Sequence, residues 1–360
     1  MTLQAILEEP RPWAFSVSEL TAGLRRYTGD SALTVKKIEE YRMVNQRPSS
    51  GRIRAISVQC ATSTSQNSFK LVVKEPIGAT RTGTAGAGRR EVALYRTMSE
   101  QLPVKVPQLL AYHPEGHWLV LKLLNGGKPP EEWTQANYLA AVDQLVLLHD
   151  RFWSLGQDLT AYTWLARPLD GDLAIHIQAA TSGVNKLMDE MSTNVLVDDQ
   201  ELVEALEKLV SHAGAIAQRL RAAPSTLLHG DYWPGNIFIL PDESLYIIDW
   251  QRAGIGPGIL DLFTFIQSSG WWFAPLPVDI NELVKRYRQG LSKLSRYTWT
   301  DEDWEELWDY ALMWVFLVDW VDLLASIPNA MLKTRYNQLK NQWLNPVKSA
   351  VARRLTDDAG

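Results

Sequence analysis

The sequence predicts an α+β fold, with a small antiparallel β-sheet at the N-terminal end and a larger, mainly helical portion after it. Three apolar runs at residues 34–44, 52–62 and 69–75 are separated by short polar turns at 45–51 and 63–68, a pattern of consecutive strands. From about residue 139 onward, apolar residues recur instead at helical spacing. At 360 residues the chain is long enough for two substantial cores. The break Asn125-Gly126-Gly127 after the last apolar strand run divides it into an N-terminal part, 1–124, and a C-terminal part, 125–360.

Within the third strand, Phe69, Leu71 and Val73 alternate with Lys70, Val72 and Lys74, so Lys74 projects from the face opposite the Phe69 set. The turn between the first two strands carries Ser49, Ser50 and one glycine, Gly51; a denser glycine segment spans 78–88 and predicts a pliable connection. That segment has glycine spacing reminiscent of a phosphate-binding loop but lacks the Lys and Ser/Thr such a loop requires. A helix follows at 89–102, bearing Glu91, and an apolar strand at 118–124 leads to the glycine break. Leu139, Val142, Val146, His149 and Trp153 then share one helical face, with His149 expected as a satisfied core histidine. A further helix is expected over 198–221.

The densest chemistry lies in His229-Gly230-Asp231-Tyr232-Trp233-Pro234-Gly235-Asn236, followed by Tyr246-Ile247-Ile248-Asp249-Trp250-Gln251. Two apolar runs between these motifs flank Pro241-Asp242-Glu243-Ser244, the composition of a hairpin turn. Pairing Leu240 with Leu245 sets Ile237 opposite Ile248 and Asn236 opposite Asp249. Directly opposed side chains lie about 5 Å apart, which lets an amide oxygen and a carboxylate share one hard cation. Asp231, in a loop that glycines and proline keep from becoming regular structure, supplies a candidate base. His229 reads as a structural anchor, hydrogen-bonded to Asp261, and not as a second base.

Composition narrows the setting. The single cysteine, Cys60, excludes an internal disulfide and fits a reducing, cytoplasmic compartment. The first residues carry acids and prolines before any long apolar run, unlike a signal peptide. The richest apolar spans, 262–278 and 311–325, are broken by Pro275 and Pro277 or contain Asp319 and Asp322, so no membrane crossing is expected. A net charge of −5 without a basic block argues against nucleic acid as a partner.

The motif H-G-D-x-x-x-x-N at 229–236, the Asp249-Trp250 dipeptide closing a strand, Gly256-Pro257 and Asp261-Leu262 together resemble the aminoglycoside phosphotransferase and choline kinase family, relatives of protein kinases that phosphorylate small molecules. The resemblance implies a bilobal protein-kinase-like fold that binds ATP and Mg²⁺ between its lobes. It implies Asp231 as catalytic base, Asn236 and Asp249 as metal ligands, and Lys74 as the phosphate-binding lysine with Glu91 as its ion-pair partner. Lys70 is the competing lysine. It further implies phosphate contacts from Ser49 and Ser50, and adenine contacts from the backbone at Leu121 to Leu123. Lys122 stands where relatives often carry an acid, which leaves ATP against GTP open.

The partner is expected to be a small molecule that presents a hydroxyl. Between residues 298 and 332 there is no Lys or Arg, while acids alternate with tryptophans. Asp322 falls on the apolar helical face that includes Trp304 and Trp308, with Asp319 at its border, whereas Asp309 lies elsewhere. Asp319, Asp322 and Trp320 are therefore candidates for holding a cationic acceptor such as an aminoglycoside or amino alcohol. An arginine of the same lobe is the alternative partner for either aspartate. Other readings are an ecdysteroid-kinase-like or sugar kinase of the same superfamily, or an inactive nucleotide-binding scaffold. Asp-Trp-Gln in place of Asp-Phe-Gly, and the short span to Asp261, disfavour a protein kinase. Nothing in the residues sets the oligomeric state.

Overall fold

The computed structural model describes residues 13–41, 51–62, 65–76, 86–189, 199–327 and 329–355. Ser49, Ser50 and most of the 78–88 glycine segment lie outside them. The first element among the described residues is a helix that sequence periodicity had not marked, α1 (Val17–Thr28). Ser16 and Glu19 close a capping box at its start, and Gly29 ends it at φ 71°. Its Leu20 and Leu24 are fully buried on the back of the sheet. Gly23 permits this approach, since an added Cβ would lie 2.6 Å from the Leu110 carbonyl oxygen.

Next come β1 (Thr34–Tyr41), β2 (Gly51–Ala61), β3 (Gln66–Pro76), α2 (Ala87–Thr97), β4 (Leu109–Tyr112) and β5 (Leu119–Lys122). The strands form one antiparallel sheet in the order β1-β2-β3-β5-β4. Ile56 opposes Leu71 and Val58 opposes Phe69 on the face that α1 covers; Ile53, Lys74 and Leu119 oppose one another on the other face. The alternation read from the third strand therefore places Lys74 away from the α1 core. Helix α2 is shorter than expected, because Met98 at φ −122° leaves the helical region and turns replace the last residues before Leu102.

The remainder is α3 (Gln135–Arg151), a single turn α4 (Gly156–Leu159), α5 (Leu173–Asp189), α6 (Gln200–Ser211), α7 (Ala213–Arg221), β6 (Ser225–Leu228), β7 (Ile237–Ile239), β8 (Leu245–Ile247) and β9 (Gly254–Pro257). It ends with α8 (Ile259–Phe273), α9 (Ile280–Leu294), α10 (Asp301–Val315), α11 (Val321–Ser326), α12 (Asn329–Leu339) and α13 (Asn345–Arg354). The helix expected over 198–221 is two helices. His212 interrupts it at φ −103° and ψ 8°, outside the helical region, with both its backbone N–H and its Nδ1 donating to the Lys208 carbonyl at 3.0 Å.

The hairpin register also differs by one residue. Ile237 pairs with Ile247, not Ile248, and Ile248 N–H donates to Asn236 O at 2.9 Å. The cause is the turn: Leu240 N–H bonds Ser244 O, Glu243 N–H bonds Leu240 O, and Glu243 adopts φ 60°. This is a three-residue loop closed by a left-handed residue, so Asp249 falls one position past the Asn236 pair. Among the described residues no helix is long and apolar enough to cross a membrane.

Candidate active site

Strand β6 delivers the loop 229–236 and β9 holds it from below, Leu228 pairing with Gly254. Gly230 sits at φ 78°, where an added Cβ would meet the Arg252 carbonyl oxygen at 2.2 Å, so only glycine fits. Asp261, buried in the first turn of α8, accepts the backbone N–H groups of His229 and Gly230 at 2.7 and 2.8 Å. Its Oδ2 also meets His149 Nε2 at 3.3 Å, while His149 Nδ1 meets the Tyr287 hydroxyl at 2.8 Å. His149 is thus a satisfied core histidine that steadies an anchor. The expected hydrogen bond between His229 and Asp261 runs through the His229 backbone and not the ring. The ring carries its proton on Nε2, which donates to Ile248 O at 2.9 Å, and its Nδ1 accepts from Asp231 N–H at 3.2 Å. With both nitrogens engaged, His229 has no lone pair for base work.

Asp231 is clasped by Asn236, whose Nδ2 donates to the Asp231 carboxylate at 2.8 Å and to its carbonyl at 2.9 Å. The amide nitrogen is thereby spent and the amide oxygen turns the other way. Burial pushes the Asp231 carboxyl up, opposed chiefly by the Arg252 guanidinium. Asp249 takes φ 65° and ψ 57°, a left-handed conformation costing a non-glycine residue about 1–2 kcal/mol. Trp250 behind it is fully buried against the His229 ring, 4.6 Å between centroids.

Across the cleft, Lys74 Nζ lies 2.7 Å from Glu91 Oε2 and 2.5 Å from Asp249 Oδ1. Burial alone would lower the Lys74 pKa, but the two carboxylates outweigh it and keep the ammonium protonated. Burial, with Asp249 adding to it, raises the Glu91 carboxyl against the pull of Lys74. Among the described residues no cluster of three or more His, Cys, Asp or Glu could hold a metal. One carboxylate and one amide oxygen are a donor set suited to Mg²⁺, which takes few protein ligands and completes its shell with phosphate and water.

The other expected residues are placed as follows. Leu121 is committed to the sheet between Val72 and Leu109, and Leu123 N–H donates to Lys70 O at 3.1 Å. That donor is therefore taken by the ladder, a correction to its expected availability for adenine. Asp319 pairs with Arg252 at 2.6 Å, the arginine alternative left open by the sequence. Trp320 is buried, its ring 4.3 Å from Trp343 and 5.0 Å from Trp271, so it is core and not a face for ligand. A π turn at Phe316–Trp320 inserts between α10 and α11 and breaks the 100° register that had grouped Asp322 with Trp304. Asp322 is half-buried on α11, its backbone beside Gly183 of α5. Asp309, expected off the apolar face, is buried under α13 and held by Arg353 and Arg354.

Sequence reasoning passed over Arg252 and His176. They line a small crevice beside Gly230 with Asp261, Trp314 and Asp319. Burial lowers the His176 pKa, and Arg252 adds to this. The position of Arg252, three residues after Asp249, was a signal; its pairing across 67 residues to Asp319 was not.

The sequence model of the phosphotransferase enzyme family matches residues 55–306, which include Lys74, Glu91, Asp231, Asn236, Asp249 and Asp261 but not Asp319 or Trp320. No curated protein matches the chain in sequence. Among solved structures, the fold is similar to an ethanolamine kinase of Plasmodium vivax at 14% identity and TM-score 0.54, over 87% of this chain and 83% of that one. It is also similar to an aminoglycoside phosphotransferase of Alicyclobacillus acidocaldarius at 13% identity and TM-score 0.51, over 90% of this chain and 92% of that one.

Proposed function

The chain belongs to the phosphotransferase enzyme family, and we propose that it is a small-molecule kinase that transfers the γ-phosphate of ATP, or of GTP, to an acceptor hydroxyl. The observation that carries this reading is the convergence of Lys74, Glu91 and Asp249, drawn from the sheet, α2 and the post-hairpin turn, onto a point facing the Asp231–Asn236 clasp. The nucleotide lies between the part ending at residue 124 and the remainder, with its base edge meeting the chain after Leu123.

Lys74, protonated at neutral pH, binds the α and β phosphates, exchanging its contact with Asp249 for phosphate oxygen while Glu91 retains it. Asn236 Oδ1 and the Asp249 carboxylate would hold a Mg²⁺, which when bound would supply charge neutralisation for the phosphates. Asp231 orients the acceptor hydroxyl and accepts its proton as that oxygen attacks the γ-phosphorus. The bond from γ-phosphorus to the bridging oxygen breaks and ADP leaves. A carboxyl whose pKa burial has raised is a stronger base than an exposed one, and its ionised form is favoured by Arg252.

The two structural neighbours are named for acting on hydroxylated amines. For this chain an acceptor ammonium would have to compete with Arg252 for Asp319. Screening aminoglycosides, amino alcohols, sugars and sterols for ATP-dependent mass gain identifies the acceptor. Asp231→Ala and Asp249→Ala are each expected to abolish transfer in a folded protein; full transfer by Asp231→Ala would refute the mechanism.

A further inference from the structure

Arg90 precedes Glu91 on α2 and is only 9% exposed. Its side chain leaves the N-terminal part altogether. Nη1 donates to the Gln251 carbonyl at 2.7 Å, and Nε donates to the Trp164 carbonyl at 3.1 Å. Those two carbonyls lie on backbones that are themselves joined, since Ala166 N–H donates to Ala253 O at 3.0 Å and Ile255 N–H to Ala166 O at 2.8 Å. Gln251 belongs to the turn that begins just after Asp249. One guanidinium therefore staples the helix that carries Glu91 to the turn that carries Asp249.

The same N-terminal turn of α2 is also seated on the sheet side. Gly88 packs so closely on the β4–β5 loop that an added Cβ would lie 2.2 Å from the Gly116 carbonyl oxygen. With its N-terminal turn wedged against the sheet side and Arg90 anchored across the cleft, α2 has one place to sit. Lys74 needs that place. Its two carboxylate partners come from opposite sides of the cleft, and Glu91 stays within 2.7 Å only while α2 is docked.

Resting on the reading that Lys74 and Asp249 handle the nucleotide, we propose that Arg90 is an interlobe positioning residue. By bonding Gln251 O and Trp164 O it holds α2, and with it the Lys74–Glu91 pair, in register with Asp249. Losing one hydrogen bond from a charged donor changes an equilibrium about tenfold or more. A methionine at this position keeps the apolar stem and makes neither bond. A lysine reaches one carbonyl but has no fork for both.

The test compares full-length wild type, Arg90→Met and Arg90→Lys by amide hydrogen exchange without nucleotide and by calorimetric titration with Mg-ADP. Arg90→Met is expected to exchange faster across α2 while α1 and β1 to β3 stay as in wild type, and to bind Mg-ADP at least about tenfold more weakly. Arg90→Lys should fall between. Unchanged α2 exchange in the variants, or a Mg-ADP Kd within twofold of wild type, overturns the proposal. Should Arg90→Met fail to fold, Arg90→Lys decides by the same two readouts. A wild type that binds no Mg-ADP would strike the phosphotransfer reading instead, and the exchange arm would still decide whether Arg90 docks α2.

Discussion

Replacing Lys74 by methionine removes the cation from a buried cluster and leaves two carboxylates, Glu91 and Asp249, facing each other. Side-chain exposures of 7% for Lys74, 1% for Glu91 and 18% for Asp249 mean that water cannot substitute for the lost ammonium. Removing one partner of a buried pair costs about 3–5 kcal/mol. Glu91 limits the damage by taking a proton, because burial and Asp249 already raise its carboxyl and only Lys74 opposes them. The folded variant then holds a proton that the unfolded chain releases above its ordinary carboxylate range. Stability must therefore fall as pH rises between the unfolded and the raised folded pKa, by up to about 1.4 kcal/mol per pH unit. At about 2 °C per kcal/mol for a chain of this size, Tm should drop by roughly 6–10 °C near pH 7. The deficit against wild type should widen from pH 6 to pH 8. Scanning calorimetry without nucleotide at both pH values measures it. An unchanged Tm, or a deficit that narrows with rising pH, would refute the cluster energetics.

Two further outcomes follow from the loop and its arginine. Gly230→Ala places a Cβ 2.2 Å from the Arg252 carbonyl oxygen at φ 78°, so ATP-dependent transfer should fall at least about a hundredfold while far-UV circular dichroism stays near wild type; activity within a few-fold of wild type contradicts the close approach. Arg252→Gln removes the main influence lowering the Asp231 pKa, so the acid limb of the pH–rate profile should move to higher pH, and a limb that stays in place separates Arg252 from the base.

Much of the fold was legible because its signals are local. Period-2 alternation marked β3 and the face of Lys74, and glycine breaks marked the strand ends. Where the reading slipped, a short-range competitor decided. His212 left the helical region and split 198–221; Glu243 at positive φ shortened the hairpin loop and moved the register by one. The capping box Ser16-x-x-Glu19 was a visible signature for α1 that the apolar pattern alone did not raise.

The candidate site divides along the same line. Residue types and spacing over 229–251 placed two carboxylates and an amide beside one hairpin, because neighbours in sequence on a tight turn have little freedom to separate. Lys74 and Asp249, 175 residues apart, meet only because the sheet and the helical part close on each other. The partner of Asp319 was likewise a tertiary matter. An aspartate on an apolar helix face declares that it needs a counter-charge, but a π turn and the path of the chain after Asp249 decided that the counter-charge is Arg252. Sequence determines which groups must be satisfied, since burying them unpaired is too costly; only the packed chain decides by whom.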